Sequence, residues 1–152
     1  MVDWVIVRTD YHREQAVAIQ IEKKGFRAWV PVQIIIKRHP AARRHMDRSN
    51  VLTPSNRPVC PSLLFACVPL DELDRILGLR HLTKVEQTPE GLWAVVPDEQ
   101  VATFRAAIEV ENRAAQMLTE AARRKQKAKW RSLKDGLLGL VDAIKNPVEQ
   151  AA

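Results

Sequence analysis

Cysteine is scarce in this 152-residue chain, which holds two, Cys60 and Cys67. Their spacing fits no zinc motif and no second pair of histidine ligands stands nearby, so the sequence predicts no metal centre. Free thiols packed in or beside a strand are the expectation. Glycine is also sparse: five residues scattered singly leave no glycine-rich loop to cradle a phosphate. The sequence contains no nucleophile elbow, metalloprotease helix or kinase signature. His12, His39, His45 and His81 are dispersed in basic surroundings, which reads as solvent or phosphate contact rather than catalysis. Long apolar runs are missing too. The uncharged run 28–36 is interrupted by Pro31 and Gln33 and falls far short of a membrane span. The opening Met-Val-Asp-Trp lacks the basic-then-apolar pattern of a signal peptide. Together these absences predict a cytoplasmic, non-enzymatic protein with no cofactor and no membrane partner.

What is present is an ordinary globular mixture, 46% hydrophobic and 28% charged. A chain of this length buries a core without a staple. Residues 4–9 are rich in β-branched side chains and read as a buried strand. The period then changes. Ala16, Val17, Ile19 and Ile21 make an apolar stripe on a helix over 12–24, with Asp10 or Thr9 to cap it and Gly25 to end it. A second strand covers 26–38, where Pro31 implies a bulge or an edge. Residues 39–57 are polar and basic and form an excursion between strands, with a basic hairpin or loop over 37–57. A third strand over 59–68 is nearly all apolar after Pro61, as suits a central position. A short helix covers 71–80. Its carboxylates Asp71, Glu72 and Asp74 are read as dipole complements at a helix start, not as an acid–base pair. Strands at 82–87 and 92–96 flank a turn at 88–91, and Pro97 or Asp98 opens a long helix. The chain is then helical, and Leu133, Leu137, Leu140, Val141 and Ile144 mark one apolar face near its end. This order predicts an α+β sandwich, an antiparallel-rich sheet of about four strands flanked by helices, with a helical carboxy-terminal extension.

Acid is in deficit. Lys plus Arg is 24 against 18 for Asp plus Glu, a formal charge of +6 that favours an anionic partner. The cations are clustered. Lys37, Arg38, Arg43, Arg44 and Arg48 share the 37–48 run with Asp47 alone. The 121–134 run holds Arg123, Arg124, Lys125, Lys127, Lys129, Arg131 and Lys134 with no acid, and Trp130 lies inside it. Each run is either a solvated face or a phosphate-binding surface. By charge density the second is the stronger nucleic-acid candidate.

Four segments, in order, resemble the amino-terminal domain of the NusG family of transcription elongation and antitermination factors. They are Trp-Val-Ile-Val-Arg-Thr at 4–9 with the helix after it, Lys-Gly-Phe-Arg-Ala-Trp-Val-Pro at 24–31, Arg-Pro-Val-Cys-Pro-Ser-Leu-Leu-Phe-Ala at 57–66, and Thr-Pro-Glu-Gly-Leu-Trp-Ala-Val-Val-Pro-Asp at 88–98. The resemblance divides the chain into a NusG-like domain over 1–112 and a basic, amphipathic helical extension over 113–152. The family's usual β-rich KOW domain has no counterpart in that extension, and Ser62-Leu63 stands where the family usually carries Gly-Tyr.

The resemblance implies a partner, bacterial RNA polymerase, gripped at its clamp by an apolar face containing Trp4, Val59, Leu63 and Phe65. Strand alternation alone allows these residues to be core instead. It also implies that Tyr11, His12 and Arg13, at the mouth of the first helix, lie near the non-template DNA strand, with Arg80 extending the rim. Arg43 and Arg44 at the hairpin tip, and Arg123, Arg124, Lys125, Lys127 and Lys129 in the second basic run, are candidate contacts to DNA or RNA. The expected molecule is a monomer when free. Its apolar helix from Leu133 to Ile144 either folds back over Leu63 and Phe65 as a lid, packs elsewhere, or dimerises. Two other readings stand beside this one: a basic nucleic-acid-binding protein that does not touch polymerase, and an assembly protein whose tail self-associates.

Overall fold

The computed structural model describes residues 3–38, 52–115 and 120–146, and their side chains except at 36–38, 52–54 and 120–126. Strand β1 (Asp3–Thr9) is central. Its alternation sends Trp4 and Ile6 to one face and Val5 and Val7 to the other, and all four are buried. Helix α1 (Glu14–Lys23) follows and ends at Gly25, whose φ of 90° is the left-handed turn expected there. The amino-terminal cap differs from expectation. Arg13 occupies the position without a side-chain hydrogen bond. Asp10 is committed elsewhere, its carboxylate lying 3.0 Å from His81 Nδ1 and accepting from the Thr83 hydroxyl.

The single strand expected over 26–38 is two. Strands β2 (Arg27–Trp29) and β3 (Val32–Arg38) belong to different sheets. Pro31, which has no N–H for a ladder, sits at the break, and its carbonyl accepts from Val59 N–H. Residues 52–57, read as part of an excursion and of a basic hairpin or loop over 37–57, form strand β4 (Leu52–Pro58), which pairs with β3 over seven antiparallel positions. Asn112 fixes this ribbon to the rest of the domain. Its side chain accepts from Ile34 N–H and donates to Val32 C=O, both at 2.9 Å, so it occupies the place of one more ladder residue.

Strand β5 (Leu63–Cys67) lies antiparallel between β1 and β2. The expected helix over 71–80 is a 3-10 turn (Leu70–Glu72) followed by α2 (Asp74–Leu77). Strands β6 (Leu82–Val85) and β7 (Val95–Pro97) both pair with β1, completing a five-stranded antiparallel sheet. Helices α3 (Asp98–Ala115) and α4 (Glu120–Lys145) follow. The fold is thus the α+β sandwich expected, with α3 running through the 112/113 position. Val5, Val7, Leu64 and Ala66 pack with Val17 and Ile21 of α1 and Ile76 of α2. Trp4, Ile6, Leu63 and Phe65 pack with Val101 and Ile108 of α3 and Leu137 and Val141 of α4.

The turn into β5 holds Ser62 in the left-handed region. Ser62 adopts φ 64°, the conformation a glycine takes without cost. The buried Glu14 carboxylate accepts its N–H at 2.6 Å and so holds the turn. Glu14→Ala is expected to cost about 1–3 kcal/mol in chemical denaturation, because it leaves that N–H without its acceptor. Ser62→Gly in the same assay should change stability by less than about 1 kcal/mol.

Candidate partner-binding face and nucleic-acid interface

The sheet alternation brings Trp4, Val59, Leu63 and Phe65 together, as the sequence suggested, but not on an open surface. Their exposures are 1%, 5%, 0% and 0%, and all four belong to one cluster. The reason lies in α4 together with Val101 and Ile108 of α3. Leu137 and Val141 are buried in the same cluster, and Leu133, Leu140 and Ile144 pack against it. The apolar helical face therefore folds back on the sheet, the first of the three arrangements open to it. Burying Leu137 and Val141 supplies about 1.5–3 kcal/mol each before ordering costs. Gly136 allows the close crossing: a Cβ there would sit 3.2 Å from the Phe104 ring of α3.

One edge of the covered face is aromatic and cationic, and its cations, Arg27 and Arg105, are not among the residues the sequence singled out. Trp29 stacks on Phe65 with ring centroids 5.4 Å apart. The Arg105 guanidinium lies 5.4 Å from the ring centroids of both Trp4 and Trp29, and Arg27 lies 5.3 Å from that of Trp4. Trp4 Nε1–H donates to Asp98 at 2.7 Å, satisfying the indole in its buried position. No linear motif announces this cluster, because its members come from β1, β2, β5 and α3. The signal available was the helical spacing of Asp98 and Arg105, which places both on one face of α3.

The far end of α4 is tied by charge. Glu86, with 4% of its side chain exposed, lies 2.9 Å from Arg8, 3.2 Å from Lys145 and 3.7 Å from Lys84. Burial pushes the Glu86 carboxyl up, but the hydrogen bonds from Arg8 and Lys145 and the charges of Lys145 and Lys84 together outweigh it. Its pKa lies below the usual carboxylate value. Cys60 shifts the other way. Burial raises its thiol to about 11, against smaller opposing effects of Lys134 and Arg8, so the buried thiol is not a nucleophile at neutral pH.

Of the candidate nucleic-acid contacts, Tyr11, His12, Arg13 and Arg80 are exposed. Their segments meet where Asp10 N–H donates to His81 C=O at 2.9 Å, and Gln20 Nε2 donates to Arg80 C=O at 3.0 Å. The Tyr11 and His12 rings lie 3.8 Å apart. Lys129 faces α3, 3.7 Å from Glu111, whereas Lys127 is exposed beside the β3–β4 ribbon. Arg43 and Arg44, and the side chains of Arg123, Arg124 and Lys125, lie outside the described residues. Among the described residues no cluster of three or more His, Cys, Asp or Glu side chains is placed to hold a metal ion. No described helix is long and apolar enough to cross a membrane.

The lowered Glu86 pKa gives a signed expectation. A carboxyl depressed in the folded state contributes stability that is full above its unfolded pKa of about 4.3 and is lost as pH falls through the lower folded value. Amide-exchange protection at the Lys145 end of α4 should therefore weaken on acidification below about pH 4. Glu86→Gln should weaken it already at pH 7 and flatten the acid-induced change.

Comparison with curated proteins finds no match. The model of the family described as transcription termination factor NusG matches residues 2–105, more than half the chain and all seven strands among the described residues, and the chain belongs to the NusG family.

Proposed function

We propose that this member of a family of non-catalytic transcription factors binds bacterial RNA polymerase at the clamp and modulates pausing or termination. The binding surface in this reading is the sheet face of Trp4, Val59, Leu63 and Phe65, edged by Trp29. The observation that carries it is a mismatch of extents. The covered face lies within the residues that match the family, 2–105, while one of the two helices that cover it, Glu120–Lys145, lies wholly outside them. A face within the family match is thus capped, beside α3, by an element that the match does not include. Such a cap is a competitor for the face it covers: α4 leaves and polymerase takes its place.

This mechanism is state selection rather than chemistry. If α4 docking is worth roughly 3 kcal/mol, the open state is populated at below one per cent and the apparent affinity for polymerase falls roughly 100-fold. The clamp-facing aromatics, once bare, are the kind of residue that carries most of an interface's binding energy. The self-associating tail reading draws no support here, since Leu137 and Val141 already spend the apolar helix face within the chain.

The test is co-purification of bacterial RNA polymerase with the wild-type chain beside Leu137→Asp/Val141→Asp. The variant, with α4 released, is expected to bind at least tenfold more tightly. Adding Trp29→Ala in that background is expected to remove about tenfold or more of the gain, as loss of an aromatic anchor should. A folded variant that binds polymerase no better than wild type contradicts the reading.

A further inference from the structure

Between the β3–β4 ribbon and α4 lies a groove of about 590 Å³. Ile34, Ile35 and Pro58 of the ribbon, with Val59, give it an apolar floor. Lys127, Trp130, Arg131 and Lys134 line its helical wall, and Arg57 stands on the ribbon side. The spacing of the four helical residues, i, i+3, i+4 and i+7, puts them on one face of α4. The three helical cations span about 10 Å of helix axis. No carboxylate lines the groove, and none of its four cations makes an ion pair with a described residue. Elsewhere the described cations of α4 are partnered: Lys129 with Glu111 and Lys145 with Glu86. The half-buried Trp130 packs against the core cluster and also lines the groove.

We propose that this groove binds single-stranded nucleic acid, with a base against Trp130 and the apolar floor and with phosphates along Arg57, Lys127, Arg131 and Lys134. Two complementarities select that ligand. Four cations without an acid match a chain of phosphates. An indole beside an apolar floor matches an unstacked base, which a single strand offers and a duplex keeps inside its stack. The combination of a cationic track with an aromatic platform is what sequence-tolerant single-strand binding needs. The ribbon and α4 each supply half of the groove, so it exists while α4 is docked. The inference does not depend on polymerase binding, and its test contains no polymerase, so failure of one leaves the other standing.

The experiment is fluorescence anisotropy of labelled oligo(dT) and oligo(U) with the full chain across a salt series. Wild type should bind with a salt slope to which each groove phosphate contact adds about 0.7. Lys127→Gln/Arg131→Gln/Lys134→Gln should reduce that slope by about 2. Trp130→Leu, which keeps an apolar group against the core, should weaken binding about 5- to 150-fold with the slope unchanged. Lys23→Gln/Lys24→Gln, which removes charge from the end of α1, should change neither. Circular dichroism checks that each variant keeps its helices. The dT and U arms distinguish a DNA strand from an RNA strand as the ligand. An unchanged slope in the folded triple variant overturns the proposal. So does competition by duplex DNA or polyglutamate as effective as that by a single strand.

Discussion

A five-stranded sheet with β1 at its centre has two apolar faces, and both must be kept from water. One is closed by α1 and α2, within the family-matched part of the chain. The other carries Trp4, Ile6, Leu63 and Phe65, and α3 alone contributes only Val101 and Ile108 to its buried cluster. Leu137 and Val141 of α4 complete the cover. That dependence organises the carboxy-terminal part of the molecule. The apolar stripe of α4 is set by the face it must meet, Gly136 stands where α4 comes close to Phe104, and Lys145 reaches Glu86 at the far end. The side chains that make a core with α4 are also those proposed above as the interface with polymerase.

Charge is distributed around this apolar contact by function of position. Cations that meet acids act as fasteners: Arg8, Lys84 and Lys145 converge on Glu86, and Lys129 bridges α4 to Glu111 of α3. Cations on the next face of α4 meet no acid and line a groove with Trp130. A single basic run in the sequence therefore contains two physical classes of cation. Their helical phase separates them, because a rotation of 100° per residue carries Lys127, Arg131 and Lys134 to one side and Lys129 to another.

Much of the fold was legible in the sequence. The β-branched run of β1, the apolar stripe of α1 ending at Gly25 and the helical periodicity of 133–144 each placed an element correctly, although on α1 the buried face is Val17, Ala18 and Ile21, with Ile19 of the expected stripe half exposed. The misses are tertiary. Pro31 was read as a bulge or an edge position in one strand, yet it is where the chain leaves one sheet for another. Residues 52–57 are polar and proline-containing, and form β4 because β3 lies alongside and Asn112 anchors the ribbon. For the site, the sequence brought Trp4, Val59, Leu63 and Phe65 together through the resemblance but left open whether they were core or surface. Strand alternation gives two faces and does not say what covers each. The aromatic edge of Trp29 and Arg105 joins residues distant in sequence and had no linear signature, and of the groove only the helical wall showed, as the 121–134 run with Trp130 inside it, while its ribbon side did not.

The central claim is that α4 occupies the face which polymerase takes. Amide hydrogen exchange of the full chain, read at β5 (Leu63–Cys67) and at 133–145 of α4, with and without bacterial RNA polymerase, tests it most directly. The account predicts that in the free protein both segments are protected. On binding, α4 should lose its protection while β5 retains its own, since polymerase replaces the helix as cover. Bound polymerase with α4 still fully protected would contradict the account, because the face would then be covered by its own helix and the partner would be held elsewhere.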